Sequence, residues 1–107
     1  MAITAKQLAD GQLPIATGDL YTSPALTTAY IKSIILVNTD IVARTINLYL
    51  LPVAGTARRI APVNVNLAAG AMYQEDIPIV LDAGDKIQGD ASVAAVVDYI
   101  ICGAQEA

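Results

Sequence analysis

The sequence predicts an all-β fold, an antiparallel β-sandwich preceded by a short N-terminal arm. Three observations predict it. From Ile15 onward the chain is a series of short runs rich in Val, Ile and Leu, each closed by turn formers, and the turns recur at roughly the eight-to-twelve-residue spacing of stacked short strands. Residues 44–50 alternate apolar Ile46, Leu48 and Leu50 with Thr45, Asn47 and Tyr49, the period-two pattern of a strand with one buried and one wetter face. No helix-length amphipathic segment breaks the series. A length of 107 residues suits one such domain, placed at residues 15–107.

Residues 1–14 differ in character. Thr4, Ala5, Lys6, Gln7, Leu8, Ala9 and Asp10 have the composition of a short helix that Gly11 and then Pro14 stop. The segment is expected to be an arm that can reach a neighbouring subunit, which makes Leu8 and Leu13 candidate contacts. The next strand falls at residues 29–37. Asn38, Thr39 and Asp40 suit a turn, so residues 29–37 and 44–50 are expected to pair as an antiparallel hairpin. After Pro52 a loop runs through Gly55, Arg58 and Arg59 to Pro62. A strand at 63–67, a turn at Ala68, Ala69 and Gly70, and a strand at 72–76 should then form a second pair.

Pro78 restarts the chain for a strand at 79–81. Asp82, Ala83, Gly84 and Asp85 turn it, because an aspartate bonds its own downstream amides and Gly84 tolerates positive φ. A brief strand at 86–89 and a last, most apolar one at 93–102 complete the series. If Val97, Tyr99 and Ile101 point inward, Ile100 and Cys102 point outward. Ile35, beside polar Ser33, points outward too, so Ile35 and Ile100 mark sheet faces expected to be covered by another chain.

Histidine, tryptophan and phenylalanine are absent, yet 55% of the residues are apolar. Without histidine the chain lacks the side chain that titrates unaided near neutrality and the usual base for activating a nucleophile. An enzyme is not expected. A domain of this size has too little interior to hide so many aliphatic side chains as a monomer, so part of its surface should meet other protein chains. Ten acidic against six basic residues give a net charge of −4, which opposes binding to nucleic acid and to anionic membrane surfaces. The apolar runs are far shorter than the roughly 20 residues of a spanning helix. The start, Met1 to Lys6, has no basic stretch followed by an apolar segment, and synthesis in the cytoplasm is expected. Cys102 is the single cysteine and reads as a buried small hydrophobe.

Candidate chemistry is sparse. Glu75, Asp76, Asp82, Asp85 and Asp90 crowd one stretch and could in principle share a proton or hold a weakly bound calcium, but they lie at expected strand ends, with Asp82, Asp85 and Asp90 beside Gly or Ala and the other two shortly before Pro78, where turn formation explains them. Ser23, Ser33 and Ser92 lack a histidine partner and a nucleophile elbow. No glycine-rich phosphate loop occurs, and no catalytic, cofactor or metal residue is expected. Arg58 and Arg59 are the one basic doublet and could hold carboxylates of another subunit in bidentate fashion.

Four segments, Leu20-Tyr21-Thr22-Ser23-Pro24, Ile31-Lys32-Ser33-Ile34 running into Val37-Asn38-Thr39, Ile46-Asn47-Leu48-Tyr49-Leu50, and Pro78-Ile79-Val80-Leu81-Asp82-Ala83-Gly84-Asp85-Lys86-Ile87, follow one another in a telling order. Over residues 15–103 that order resembles the small β-sandwich virion proteins of tailed bacteriophages. The resemblance implies a jelly-roll-like sandwich built into the virion as a capsid decoration (cement) protein, or alternatively into the tail, fibre base or head-to-tail connector. It implies no cofactor and no catalytic residues. The implied partners are further copies of itself, as a homotrimer at three-fold positions of a shell, and the major capsid protein. The ending departs from the family: Gly103-Ala104-Gln105-Glu106 carries its acid one residue later than usual. A reading from another class is a carbohydrate-binding module that uses Tyr73 or Tyr49 with nearby acids.

Overall fold

The structure, a computed structural model, describes residues 3–76 and 78–107. Its strands are β1 (Ile3–Gln12), β2 (Gly18–Thr22), β3 (Thr28–Asn38), β4 (Arg44–Leu51), β5 (Arg58–Arg59), β6 (Val65–Leu67), β7 (Met72–Glu75), β8 (Ile79–Leu81), β9 (Lys86–Ala91) and β10 (Val97–Glu106). They form two five-stranded antiparallel sheets. The first runs β1, β10, β3, with β7 and β8 sharing the far side of β3. The second runs β2, β9, β4, with β5 and β6 sharing the far side of β4.

The strand order shows how the chain is folded. Each strand pairs with its counterpart from the other end of the sequence: β1 with β10, β2 with β9, β3 with β7 and β8, β4 with β5 and β6. The polypeptide is thus doubled about residues 52–57, between β4 and β5, and the doubled ribbon wraps so that β10 meets β3 and β9 meets β4. That wrapping is a jelly roll, a way of packing antiparallel strands into two facing sheets. The core lies between them. The first sheet contributes Ile31, Ile34, Leu36, Val97 and Ile101, the second Leu20, Ile46, Leu48 and Ile87, all buried.

Both expected hairpins are corrected. Strands β3 and β4 lie in opposite sheets, and so do β6 and β7; the turns between them are corners that carry the chain across the sandwich. Strands β3 and β4 each have one strongly apolar face, Ile31, Ile34 and Leu36 on the first and Ile46 and Leu48 on the second, and the two faces bury each other only when the strands oppose rather than adjoin. Asn38 fixes the corner. Its fully buried side chain donates from Nδ2 to the carbonyls of Val42 (2.9 Å), Leu67 (3.0 Å) and Ala68 (3.2 Å), while its Oδ1 accepts from the Asp40 amide at 3.0 Å. One amide thereby ties the β3–β4 corner to the β6–β7 corner.

The expected N-terminal helix is also corrected, because residues 4–10 lie within β1 and pair with β10 from Ile3 opposite Glu106 to Gln12 opposite Asp98. A helix of two turns is marginal alone, whereas the edge of β10 offers a full row of backbone partners. Leu8 sits at a bulge in this strand, half-buried against the core. The last strand begins at Val97, four residues later than expected, and continues to Glu106. Its predicted facing holds: Val97, Tyr99 and Ile101 are buried and Ile100 is exposed.

Candidate interaction surface

The outer face of the first sheet is built by the pairing register. Ile100 stands directly opposite Ile35, in a row that runs from Asp10 through both isoleucines to Gln74. The neighbouring row runs from Gln12 through Asp98 and Val37 to Met72. Residues in such rows share one face of a pleated sheet, so aliphatic groups form the centre and acids the rim. Ile100 is 40% exposed and Met72 57%.

Towards the other end of the same face lies a shallow apolar groove of about 300 Å³, lined chiefly by Ala5, Tyr30, Pro78, Gly103 and Ala104. Here β10 slips by one residue against β3. A Cβ on Gly103 would fall 1.9 Å from the Tyr30 carbonyl oxygen, so only glycine lets the two backbones approach this closely. The Tyr30 hydroxyl donates to Glu106 Oε1 at 2.9 Å, and that carboxylate partner raises the tyrosine above its ordinary pKa. The late-placed C-terminal acid therefore has a local role at the groove's rim.

The outer face of the second sheet has the opposite chemistry. Lys86 Nζ and Gln88 Nε2 both donate to the Asp19 carboxylate, at 2.9 and 2.7 Å, and the Gln88 amide followed by the Lys86 ammonium holds Asp19 below its ordinary pKa. Asn47, expected on a wet face, is buried there. Its Nδ2 donates to Asn64 and Asp90, and its Oδ1 accepts from the Asn64 amide and from Arg59 Nη1 at 2.7 Å. The Arg59 guanidinium lies 5.0 Å from the centre of the Tyr49 ring. Polar groups on this side satisfy one another, and no buried side-chain nitrogen or oxygen lacks a partner among the described residues.

The sequence-derived contact candidates separate on these surfaces. Ile35 and Ile100 come together, face to face across β3 and β10. Arg58 and Arg59 do not sit in a free loop; they form β5, the short edge of the second sheet, and both are exposed. Leu13 is withdrawn as a contact: it is fully buried in the core, with its amide bonded to the Val97 carbonyl at 2.9 Å. Sequence reasoning missed the aliphatics at loop tips, of which Leu26 (91% exposed, φ 59°) and Ile41 (89%) are the most prominent. A positive φ in a leucine leaves no trace in the sequence.

The five crowded acids are dispersed. Glu75 accepts the Tyr73 hydroxyl, Asp76 accepts Gln74, Asp85 accepts the amides of Val53 and Asp82 in its turn, and Asp90 accepts Thr17 and Asn47. No group of three or more acidic or cysteine side chains that could hold a metal ion occurs among the described residues. Of the two tyrosines of the sugar-binding alternative, Tyr73 spends its hydroxyl on Glu75 and Tyr49 is covered by Arg59.

No family model and no curated protein matches the sequence. The fold, however, is found in virus particles. Over 97% of its length the chain superposes on part of a chain from infectious bursal disease virus, Gx strain, with a TM-score of 0.53 and 14% identity. A chain of the T13 particle of the same virus gives 0.54 at 10% identity, and one from the Gt strain 0.50 at 13%. This chain spans 29 to 32% of the length of those chains. At such identities the likeness establishes the fold: a two-sheet jelly roll of the kind that those larger virus chains contain.

Proposed function

We propose that this chain is a virion structural protein, a capsid decoration (cement) protein that stabilises a phage shell by bridging capsid subunits as a homotrimer. The observation that carries this reading is the outer face of the first sheet, where Ile100 meets Ile35 amid Val37 and Met72 with no covering element among the described residues. Contiguous aliphatic surface on the flat face of a sheet is what a protein interface consumes. The jelly-roll likeness to chains of a virus particle supports the same reading. A cement protein acts by mass action: contacts formed only in the assembled state shift the balance towards the intact shell. The chain is made in the host cytoplasm and resides in the virion.

Sedimentation and light scattering of the purified chain test the proposal. The expected mass is three times 11.1 kDa, falling to one subunit for Ile100→Asp while circular dichroism still reports the β fold. A wild-type chain that stays monomeric up to millimolar concentration, indistinguishable from Ile100→Asp, would overturn it.

A further inference from the structure

We infer that the acid-rimmed apolar face of the first sheet is covered by the Arg58–Arg59 edge of a second copy of the chain, in a head-to-tail contact; this rests on the self-association proposed above and names its two halves. Charge decides between the ways two copies can meet. Asp10, Asp98 and Glu106 share the outer face of the first sheet, against Lys32 alone. Among the described residues the ion pairs are Asp40 with Arg44 and Asp19 with Lys86, so the acids of this face have no cationic partner within the subunit. Two such faces laid against each other would oppose three carboxylates a side, an arrangement that like-charge contact disfavours.

The complementary surface exists on the same molecule. Arg58 and Arg59 are adjacent, exposed and unpaired with any described carboxylate, and as consecutive strand residues they straddle the edge of the second sheet. Exposed Val53 and Val63 flank them in sequence and supply aliphatic surface. Arg59 is already held by Asn47 and Tyr49, so fixing it against a carboxylate sacrifices little side-chain freedom. A contact between two different patches is heterologous and closes into a ring when its rotation permits. With three copies, each face and each arginine edge is used once.

Charge reversal in the full chain tests this, read by sedimentation velocity over a concentration series with circular dichroism as the folding control. Arg58→Glu with Arg59→Glu, and separately Asp10→Arg with Asp98→Arg, should each weaken association by at least about tenfold. The chain carrying all four changes should return to within about threefold of wild type, because both halves are reversed together. Arg58→Glu alone, which disturbs no intramolecular bond, serves as the second variant should the loss of Arg59 impair folding. If arginine reversal leaves the oligomer intact while Ile100→Asp dissolves it, the face is covered by something other than β5, and this inference fails while the virion reading stands. A folded four-site variant that fails to reassociate also overturns it, whereas a monomeric wild-type chain overturns the virion reading first.

Discussion

Removing the amide of Asn38 should cost far more than its size suggests, because that one group joins two corners of the jelly roll. In Asn38→Ala the Leu67 carbonyl, at 3.0 Å from Nδ2 in a buried setting, loses its donor. The carbonyls of Val42 and Ala68 lose theirs in part-buried settings, and the Asp40 amide loses its acceptor. A buried polar group left unpaired costs about 1–3 kcal/mol, and a hydrogen bond with access to water about 0.5–1.5. Allowing for water reaching the outer partners, the expected loss is about 2–5 kcal/mol, a large share of the roughly 5–15 kcal/mol that holds a small domain together.

Asn38→Asp sharpens the test, since it preserves shape and reverses polarity. Its carboxylate would face three carbonyl oxygens, so its folded pKa should lie above the unfolded value of about 3.9. A carboxyl group with a raised folded pKa contributes stability below its unfolded pKa and loses it as pH rises through the folded one. The gap between this variant and wild type should therefore be widest at neutral pH and narrow on acidification. Urea unfolding followed by far-ultraviolet circular dichroism, at pH 7 and pH 4, measures both effects. A loss below about 0.5 kcal/mol for Asn38→Ala, the range of ordinary surface changes, would refute the corner argument. So would a pH-independent gap for Asn38→Asp.

Gly103→Ala should destabilise the fold by about 1–3 kcal/mol or more in the same assay, because the added methyl meets the Tyr30 main chain rather than a side chain that can swing aside; an unchanged midpoint would contradict the close approach of β10 and β3. Alkaline titration should weaken the protein from about pH 10 upward. Tyr30, through its bond to Glu106, and Tyr73 and Tyr99, chiefly through burial, are raised above 10.0, so the stability linked to them is complete below the unfolded tyrosine pKa and is lost as pH rises through the folded values. Thermal melting from pH 8 to 12 alongside tyrosinate absorbance checks this, and melting that begins to fall before any tyrosine ionises would point to another cause.

Alternation made the core strands legible. Ile46 and Leu48 inside, Val97, Tyr99 and Ile101 inside, and Ile100 and Ile35 outside all follow from a period of two, and the aspartate-glycine turn at 82–85 follows from backbone chemistry. Alternation says which face of a strand is apolar but not which strand lies beside it. Corner and hairpin look alike in sequence, and only the two opposed apolar faces and the Asn38 bonds choose the corner. Strand β1 was hidden for a different reason: Ala5, Lys6, Gln7, Leu8 and Ala9 are good helix formers, and pairing with β10 overrides that preference. Leu13 went astray with it, since an apolar residue in a supposed arm reads as a contact until the segment is seen to enter the sandwich. Gly103 could have been found, because an isolated glycine in an apolar strand suggests a bulge or a close backbone approach.

The size of the apolar face bears on the kind of assembly it can sustain. Complete burial of an aliphatic side chain contributes about 1.5–3 kcal/mol. Ile100, Met72 and Val80 on this face are 40%, 57% and 56% exposed, so covering all three is worth about 2–5 kcal/mol. Association costs roughly 4–15 kcal/mol in lost freedom of motion. One such contact is therefore marginal by itself, and an open dimer would leave one face and one arginine edge unused. Closing a ring, or seating the subunit on a repeating shell, adds further contacts without repeating the whole entropic cost. A face this modest suits a protein that acts as one of many, where cooperating weak contacts hold the assembly although no single pair is tight.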